Sequence, residues 1–234
     1  MMDGRPFERT SRFFFFGQIT NHDVSFYHAQ SLQLIACERT ATAHERLLGI
    51  AGERVLGLAA PLDDSAPDIA PVADACFVLG AEAGRDDHVS EANAFFSHLA
   101  ERALPADPVV ERAVTLLEES NGVVRIGEVC AKLDVSPREL NRRFTRIVGV
   151  TPKLFGQVLQ INWVVGLLYA NDTSRLAQIA HEAGFYDQAH FNRAMQRFFR
   201  EGPRAFLQSN HPAYRSFLAA SRRFGSDSAT ERSE

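Results

Sequence analysis

An internal repeat restricts this chain more than any other feature. Between residues 126 and 206, one pattern of helix, turn, second helix and proline occurs twice, about fifty residues apart. Ile126, Val129, Cys130 and Leu133 fall at i, i+3, i+4 and i+7, the spacing that puts apolar side chains on one face of a helix. Leu176, Ile179, Ala180 and Ala183 repeat that stripe. A second stripe follows each at i, i+4, i+7 and i+8: Leu140, Phe144, Ile147 and Val148, then Phe191, Met195, Phe198 and Phe199, 51 residues later. The same offset carries Pro152, Lys153, Leu154 and Phe155 onto Pro203, Arg204, Ala205 and Phe206, so the start of a third helix is repeated too.

Two helices joined by a short turn, the second with cationic side chains opposite its apolar stripe, form the pattern of a helix-turn-helix. Ser136, Pro137, Arg138 and Glu139 predict a capping box with proline at the first helical position. The Ser136 hydroxyl accepts the Glu139 amide, and the Glu139 carboxylate reaches back. In the second copy Gly184 predicts the tight turn and Asp187 the cap of the next helix. A fixed N-terminal end matters because such a helix enters the major groove by that end.

Spacing also names the outward face. Arg138, Asn141 and Arg142 stand opposite the Leu140 and Phe144 stripe, and 51 residues on they become Ala189, Asn192 and Arg193, with Gln188 alongside. Arginine bonds guanine O6 and N7 with two hydrogen bonds, and asparagine or glutamine does so with adenine, each good pair contributing roughly 1–3 kcal/mol of discrimination. Phosphate contacts are expected of Arg143, Arg146, Lys153, Arg197, Arg200 and Arg204, together with Ser136, His190 and Gln196. A solvated helix face explains one such row of arginines; two rows in register point to DNA.

The stretch from Ile179 to Pro203, IAHEAGFYDQAHFNRAMQRFFREGP, resembles the signature of the AraC/XylS family of bacterial transcription regulators. It has the Ile-Ala helix, the Gly-Phe turn, the Asp-Gln start, the Phe-x-Arg core and the closing Gly-x-Pro. AKLDVSPRELNRRF and GVTPKLF match the family's first motif. The resemblance covers residues 107–210 and implies a monomeric double reader in which a long central helix joins both recognition helices. It carries the base-reading positions onto Arg138, Asn141, Arg142, Gln188, Ala189, Asn192 and Arg193. It implies double-stranded DNA as partner, with RNA polymerase, a small-molecule effector and a second copy of the chain as further candidates. It implies no cofactor, no metal and no enzyme activity. DNA-repair methyltransferases with a similar module need a reactive cysteine cluster at the N-terminus, whereas Cys37, Cys76 and Cys130 lie far apart and Cys130 sits in a core stripe. The alternative is an interaction protein whose degenerate helix-turn-helix binds another regulator.

The central helix, expected from residue 152 to about 170, spans roughly 28 Å at about 1.5 Å per residue. Major grooves on one face of DNA lie about 34 Å apart. One subunit would then cover two adjacent grooves on a non-palindromic site of about 20 bp. Family members often carry basic residues in this helix, where this chain has Gln157, Gln160, Asn162, Trp163 and Gly166. Val158, Leu159, Ile161, Val164, Val165, Leu167 and Leu168 make it apolar enough to predict burial against the N-terminal domain or another subunit.

The fold class expected is α+β: an all-α double helix-turn-helix domain (107–210) preceded by a small mixed, mainly β domain (1–84) and a helical linker (85–106), then a short helix (211–223) and a disordered tail (224–234). Charge supports the division. Residues 1–106 hold 8 Arg and 15 acids, residues 107–223 hold 16 cations and 11 acids, and the tail is net −2, within a total of −4. The basic module suits nucleic acid, and the acidic half faces something else, effector sensing or dimerisation. Strands are expected at 13–16, 32–37, 54–62 and 75–80, helices at 43–48, 89–104 and 109–119, and a loop around Pro61, Pro67 and Pro71. The N-terminal part is short for a complete cupin-like barrel. His22, His28, Glu38 and His44 fit no metal-ligand spacing. Phe13 to Phe16, Phe26 and Tyr27 form an aromatic cluster that serves either a β core or an effector pocket. His181, His190 and His211 are structural or phosphate-facing. No apolar run reaches the ~18 residues of a membrane span, and no leader pattern opens the chain, so a cytoplasmic, nucleoid-associated protein is expected.

Overall fold

The computed structural model describes residues 13–16, 40–57, 59–78, 83–170 and 176–209. β1 (Phe14–Phe16) pairs antiparallel with β2 (Ala59–Pro61), Phe14 opposite Pro61 and Phe16 opposite Ala59. This ribbon is the only sheet among the described residues, and it stops at a proline, which has no amide to extend a ladder. Around it lie α1 (Ala43–Leu48), a 3₁₀ turn (Gly52–Arg54), α2 (Leu62–Ser65), α3 (Ala70–Cys76) and α4 (Arg85–Glu101). Phe15, Val55, Leu62, Ile69, Ala73, Phe95 and Leu99 form their shared core. Each large side chain buried there contributes roughly 1.5–3 kcal/mol of transfer free energy.

The expected α+β class with a mainly β N-terminal domain is therefore corrected to a mainly α chain among the described residues. The 75–80 strand falls where α3 runs on to Cys76, and among the described residues of 54–62 only Ala59–Pro61 is extended. The prolines do not mark one continuous loop. Pro71 lies in the first turn of α3, where its ring costs no hydrogen bond and presets the helical φ. A two-stranded ribbon cannot cover a core by itself, so helices do. The helix over 43–48 is α1, and those over 89–104 and 109–119 are α4 and α5 (Pro108–Glu119). α4 begins earlier than expected because the Asp87 carboxylate accepts the Gly84 amide at 3.0 Å. The 32–37 strand, His22, Phe26, Tyr27, His28, Cys37, Glu38, the 211–223 helix, His211 and the tail lie outside the described residues.

α5, α6 (Ile126–Leu133) and α7 (Pro137–Val148) form the first motif, packed through Val110, Ala113, Leu117, Val129, Leu140 and Phe144, all fully buried. α8 (Pro152–Ala170) follows, then α9 (Leu176–Glu182), α10 (Gln188–Phe199) and α11 (Pro203–Gln208). The chain divides into two compact units, Met1–Ser120 with Val124–Phe155, and Asn121–Val123 with Gly156–Glu234. In the second unit Ile161, Val164, Val165 and Leu168 of α8 pack with Ile179, Ala183, Phe185, Phe191, Met195 and Phe206. The apolar stripe of α8 expected to meet the N-terminal domain or another subunit is thus given to the second motif. In the first unit the 3₁₀ turn lies flat on the end of α7. A Cβ on Gly52 would stand 2.4 Å from the Ile147 carbonyl oxygen, and one on Gly149 would stand 2.6 Å from that of Gly52.

Candidate nucleic-acid interface

In the first motif the second helix, α7, starts at a fixed point because Ser136 Oγ accepts the Glu139 amide at 3.1 Å. The other half of the expected capping box is not used. Arg142 takes the Glu139 carboxylate instead, through Nε at 3.1 Å and Nη2 at 2.8 Å. A two-point, charge-assisted bond outcompetes a single bond to a backbone amide. The Arg142 hydrogen bonds hold the Glu139 carboxyl below its ordinary pKa. Leu140, Phe144, Ile147 and Val148 are buried, which leaves Arg138, Asn141 and Arg142 exposed.

Its counterpart in the second motif, α10, is capped by Asp187, whose carboxylate accepts the His190 amide at 2.6 Å. Phe191 and Met195 are buried and Phe198 and Phe199 half-buried, so Gln188, Ala189, Asn192 and Arg193 face outward. Each copy thus exposes its expected base-reading set on the side opposite its own core.

The turns before the two helices differ by one residue. Asp134 (φ +51) and Gly184 (φ +75) end α6 and α9 in the same left-handed conformation. Between that residue and the cap stands only Val135 in the first copy, but Phe185 and Tyr186 in the second. The extra residue changes the repeat offset from 50 to 51. Phe185 fills the core position, and Tyr186 is left 92% exposed at the foot of α10.

The expected phosphate-binding residues fall into two groups. Arg143 is bound by Asp107 at 2.9 and 2.6 Å, and Asp107 in turn caps α5 by accepting the Val109 and Val110 amides at 3.0 and 3.1 Å. Burial pushes the Asp107 carboxyl up, but Arg143 and those amides outweigh it and hold the carboxyl below its ordinary range. Arg146 is ion-paired with Glu45 of α1. Both cations therefore brace the first motif rather than standing open. Their partners lie 36 and 101 residues away in sequence, beyond the reach of any local pattern. Asp107 itself had a signal, an acid directly before a proline at a helix start.

Lys153, Arg197, Arg200 and Arg204 are exposed. Arg197 bonds Gln157 Oε1 at 3.2 Å and lies over the Phe198 ring at 5.5 Å. Arg200, at φ +56, closes α10. The Gln196 side-chain amide spans the turn to α11, one of its two heavy atoms 3.1 Å from the Arg200 carbonyl and the other 3.2 Å from the Gly202 amide. Ser136 is used as a cap, and the His190 ring stands edge-on to Phe185 at 5.3 Å.

Elsewhere, Phe15 is core and meets the buried His44 ring edge-on at 5.4 Å, which makes both structural. An open cleft of about 350 Å³ is lined by Leu48, Ile50, Arg54, Val55, Asp64 and Asp68. Among the described residues no group of three His, Cys, Asp or Glu is placed to hold a metal ion, and no helix is long and apolar enough to cross a membrane. Burial raises the Cys130 thiol pKa, in keeping with a core cysteine.

Compared with protein families, residues 129–209 match one described as a helix-turn-helix domain. ToxT from Vibrio cholerae is similar over 60% of this chain and 54% of its own length, at 16% identity and a TM-score of 0.40. The chain thus spans about half of that protein. No curated protein sequence matches it significantly.

Proposed function

We propose, from the premise that this chain carries an AraC-type helix-turn-helix domain over residues 129–209, that it is a sequence-specific transcription regulator laying α7 and α10 into adjacent major grooves. A domain of this type binds DNA; the two-groove reading is the finer step. The observation that carries it is the doubled Asn-Arg pair. Asn141 with Arg142, and Asn192 with Arg193, stand exposed at equivalent places on two capped helices whose opposite faces are buried. α8 adds a length argument, since its 19 residues rise about 28 Å, close to the groove repeat.

In this reading Arg138, Asn141 and Arg142 read one groove, and Gln188, Asn192 and Arg193 the next, with Ala189 offering a methyl contact. Lys153, Arg197, Arg200 and Arg204 meet phosphates, helped by His190 and by the amides at both helix starts. Arg143 and Arg146 hold α7 in place instead. Residues 1–84 serve effector sensing or dimerisation, with RNA polymerase the natural further partner of a regulator that activates.

The test is selection of bound sequences from a random duplex library with the full chain, followed by affinity against salt. Two enriched blocks about one helical turn apart, with a log-log salt slope of several units, are expected. A folded chain that enriches no motif at low salt overturns the reading and directs the search to a protein partner.

A further inference from the structure

The first recognition helix contains a contact that its repeat lacks. Glu139 Oε2 accepts Arg142 Nε at 3.1 Å and Oε1 accepts Nη2 at 2.8 Å, so the carboxylate lies along one side of the guanidinium. The end-on pair of hydrogens, one on each Nη, is left pointing away from Glu139, and that pair is the fork that fits guanine O6 and N7. Arg142 stays 66% exposed while so held. Glu139 is itself held from behind, with Arg143 Nη1 3.9 Å from the same carboxylate oxygen and Arg143 locked onto Asp107. In the second copy the residue three before Arg193 is His190, whose ring packs on Phe185.

We propose that Glu139 is a positioning residue that holds Arg142 extended for guanine and thereby sets the sequence specificity of α7. The inference rests on the DNA-reading assignment above. An unbraced arginine samples several rotamers and can turn to a phosphate or to another acceptor, whereas a braced one loses less freedom on binding. The brace also has a directional cost. A carboxylate beside the groove repels phosphates, so Glu139 weakens binding to every sequence while sharpening the choice among them. Arg193, unbraced, tolerates a wider set of bases.

The experiment uses the full chain. Library selection with wild type and Arg142→Ala locates the base pair at which that variant relaxes preference. Wild type, Glu139→Ala and Glu139→Gln are then titrated on the four duplexes that differ there, with thermal stability measured alongside. The expected result is a five- to tenfold lower guanine preference in both Glu139 variants, of the order of one lost bidentate pair, with equal or tighter binding to the other three duplexes. An unchanged preference overturns the inference while leaving base reading by Arg142 intact. Equal weakening on all four duplexes also overturns it, since that is what loss of helix structure would do. If Arg142→Ala relaxes no position, base reading by α7 fails and the inference falls with it.

Discussion

The two copies of the repeat share a pattern of apolar residues and differ in what holds them. The first is braced by polar side chains from far along the sequence: Asp107 on Arg143, Glu45 on Arg146 and the Gly52 turn on Gly149. The second is built around aromatic packing, with Phe185, Phe191, Phe199 and Phe206 against the apolar stripe of α8. Where the first has Arg143 the second has Ala194, and where the first has Glu139 the second has His190. The inward face of each helix is thus dictated by the repeat, while its polar flank is dictated by whatever neighbours the fold supplies. One repeated pattern can in this way yield one copy braced by polar contacts and one held by aromatic packing.

That contrast can be attacked at several strengths. The largest effects should come from the shared core: Phe144→Ala and Phe191→Ala, both fully buried, should each cost about 3–5 kcal/mol. Denaturant titration checks this, and a much smaller cost at Phe144 would mean that the polar braces carry the first copy. Next, Arg142→Ala and Arg193→Ala should each cost roughly 1–3 kcal/mol on the preferred duplex and relax one base position apiece. Equal loss on every sequence would remove base reading from the comparison.

Asp107→Asn should cost about 1–2 kcal/mol at neutral pH, because the charged partner of Arg143 is lost. The sign of its pH dependence follows from a depressed folded pKa. The ion pair stabilises above the ordinary carboxylate value of 3.8 and is lost as pH falls through the lower folded value. Wild type and variant should therefore converge in acid, which stability curves across that range would reveal; a gap that persists there contradicts the ion-pair account.

The smallest contrast lies in the turns. Gly184→Ala should cost about 1–2 kcal/mol, since its left-handed φ suits glycine and a Cβ would meet Val123 Cγ1 at 2.9 Å. Asp134→Gly should stay within about 0.5 kcal/mol of wild type, relief of the left-handed strain offsetting the added chain entropy. Matching effects at the two sites would mean that the turns are not equivalent after all.

Much of the second half of the chain was legible because its signals are local. Ser136, Asp187 and Gly184 declared the helix starts and the turn within four residues of where they act, and α8 runs over the span its apolar content predicted. The N-terminal part was misread for the opposite reason. Alanine-rich, proline-bearing segments such as Ala70–Cys76 have no strong periodicity, and their helices form because Phe15, Leu62, Phe95 and Leu99 need covering. Among the site residues, exposure of Arg138, Asn141, Gln188 and Arg193 followed from periodicity, but the diversion of Arg143 and Arg146 did not, because spacing carries no information about acids 36 and 101 positions away.

The Gly52 to Gly149 contact bears on how this protein can be dissected. A fragment beginning at Asp107 would keep α7 and α10 yet strip the cover from Ile147, Val148 and the backbone at Gly149. The bared patch would be sticky, and such a fragment would dimerise or aggregate for a reason unrelated to regulation. Starting the fragment no later than Phe13 instead keeps Phe15 in its core and β1 on β2, retains the seat of α1 and the 3₁₀ turn on α7, and should give the better-behaved protein for crystallisation with DNA.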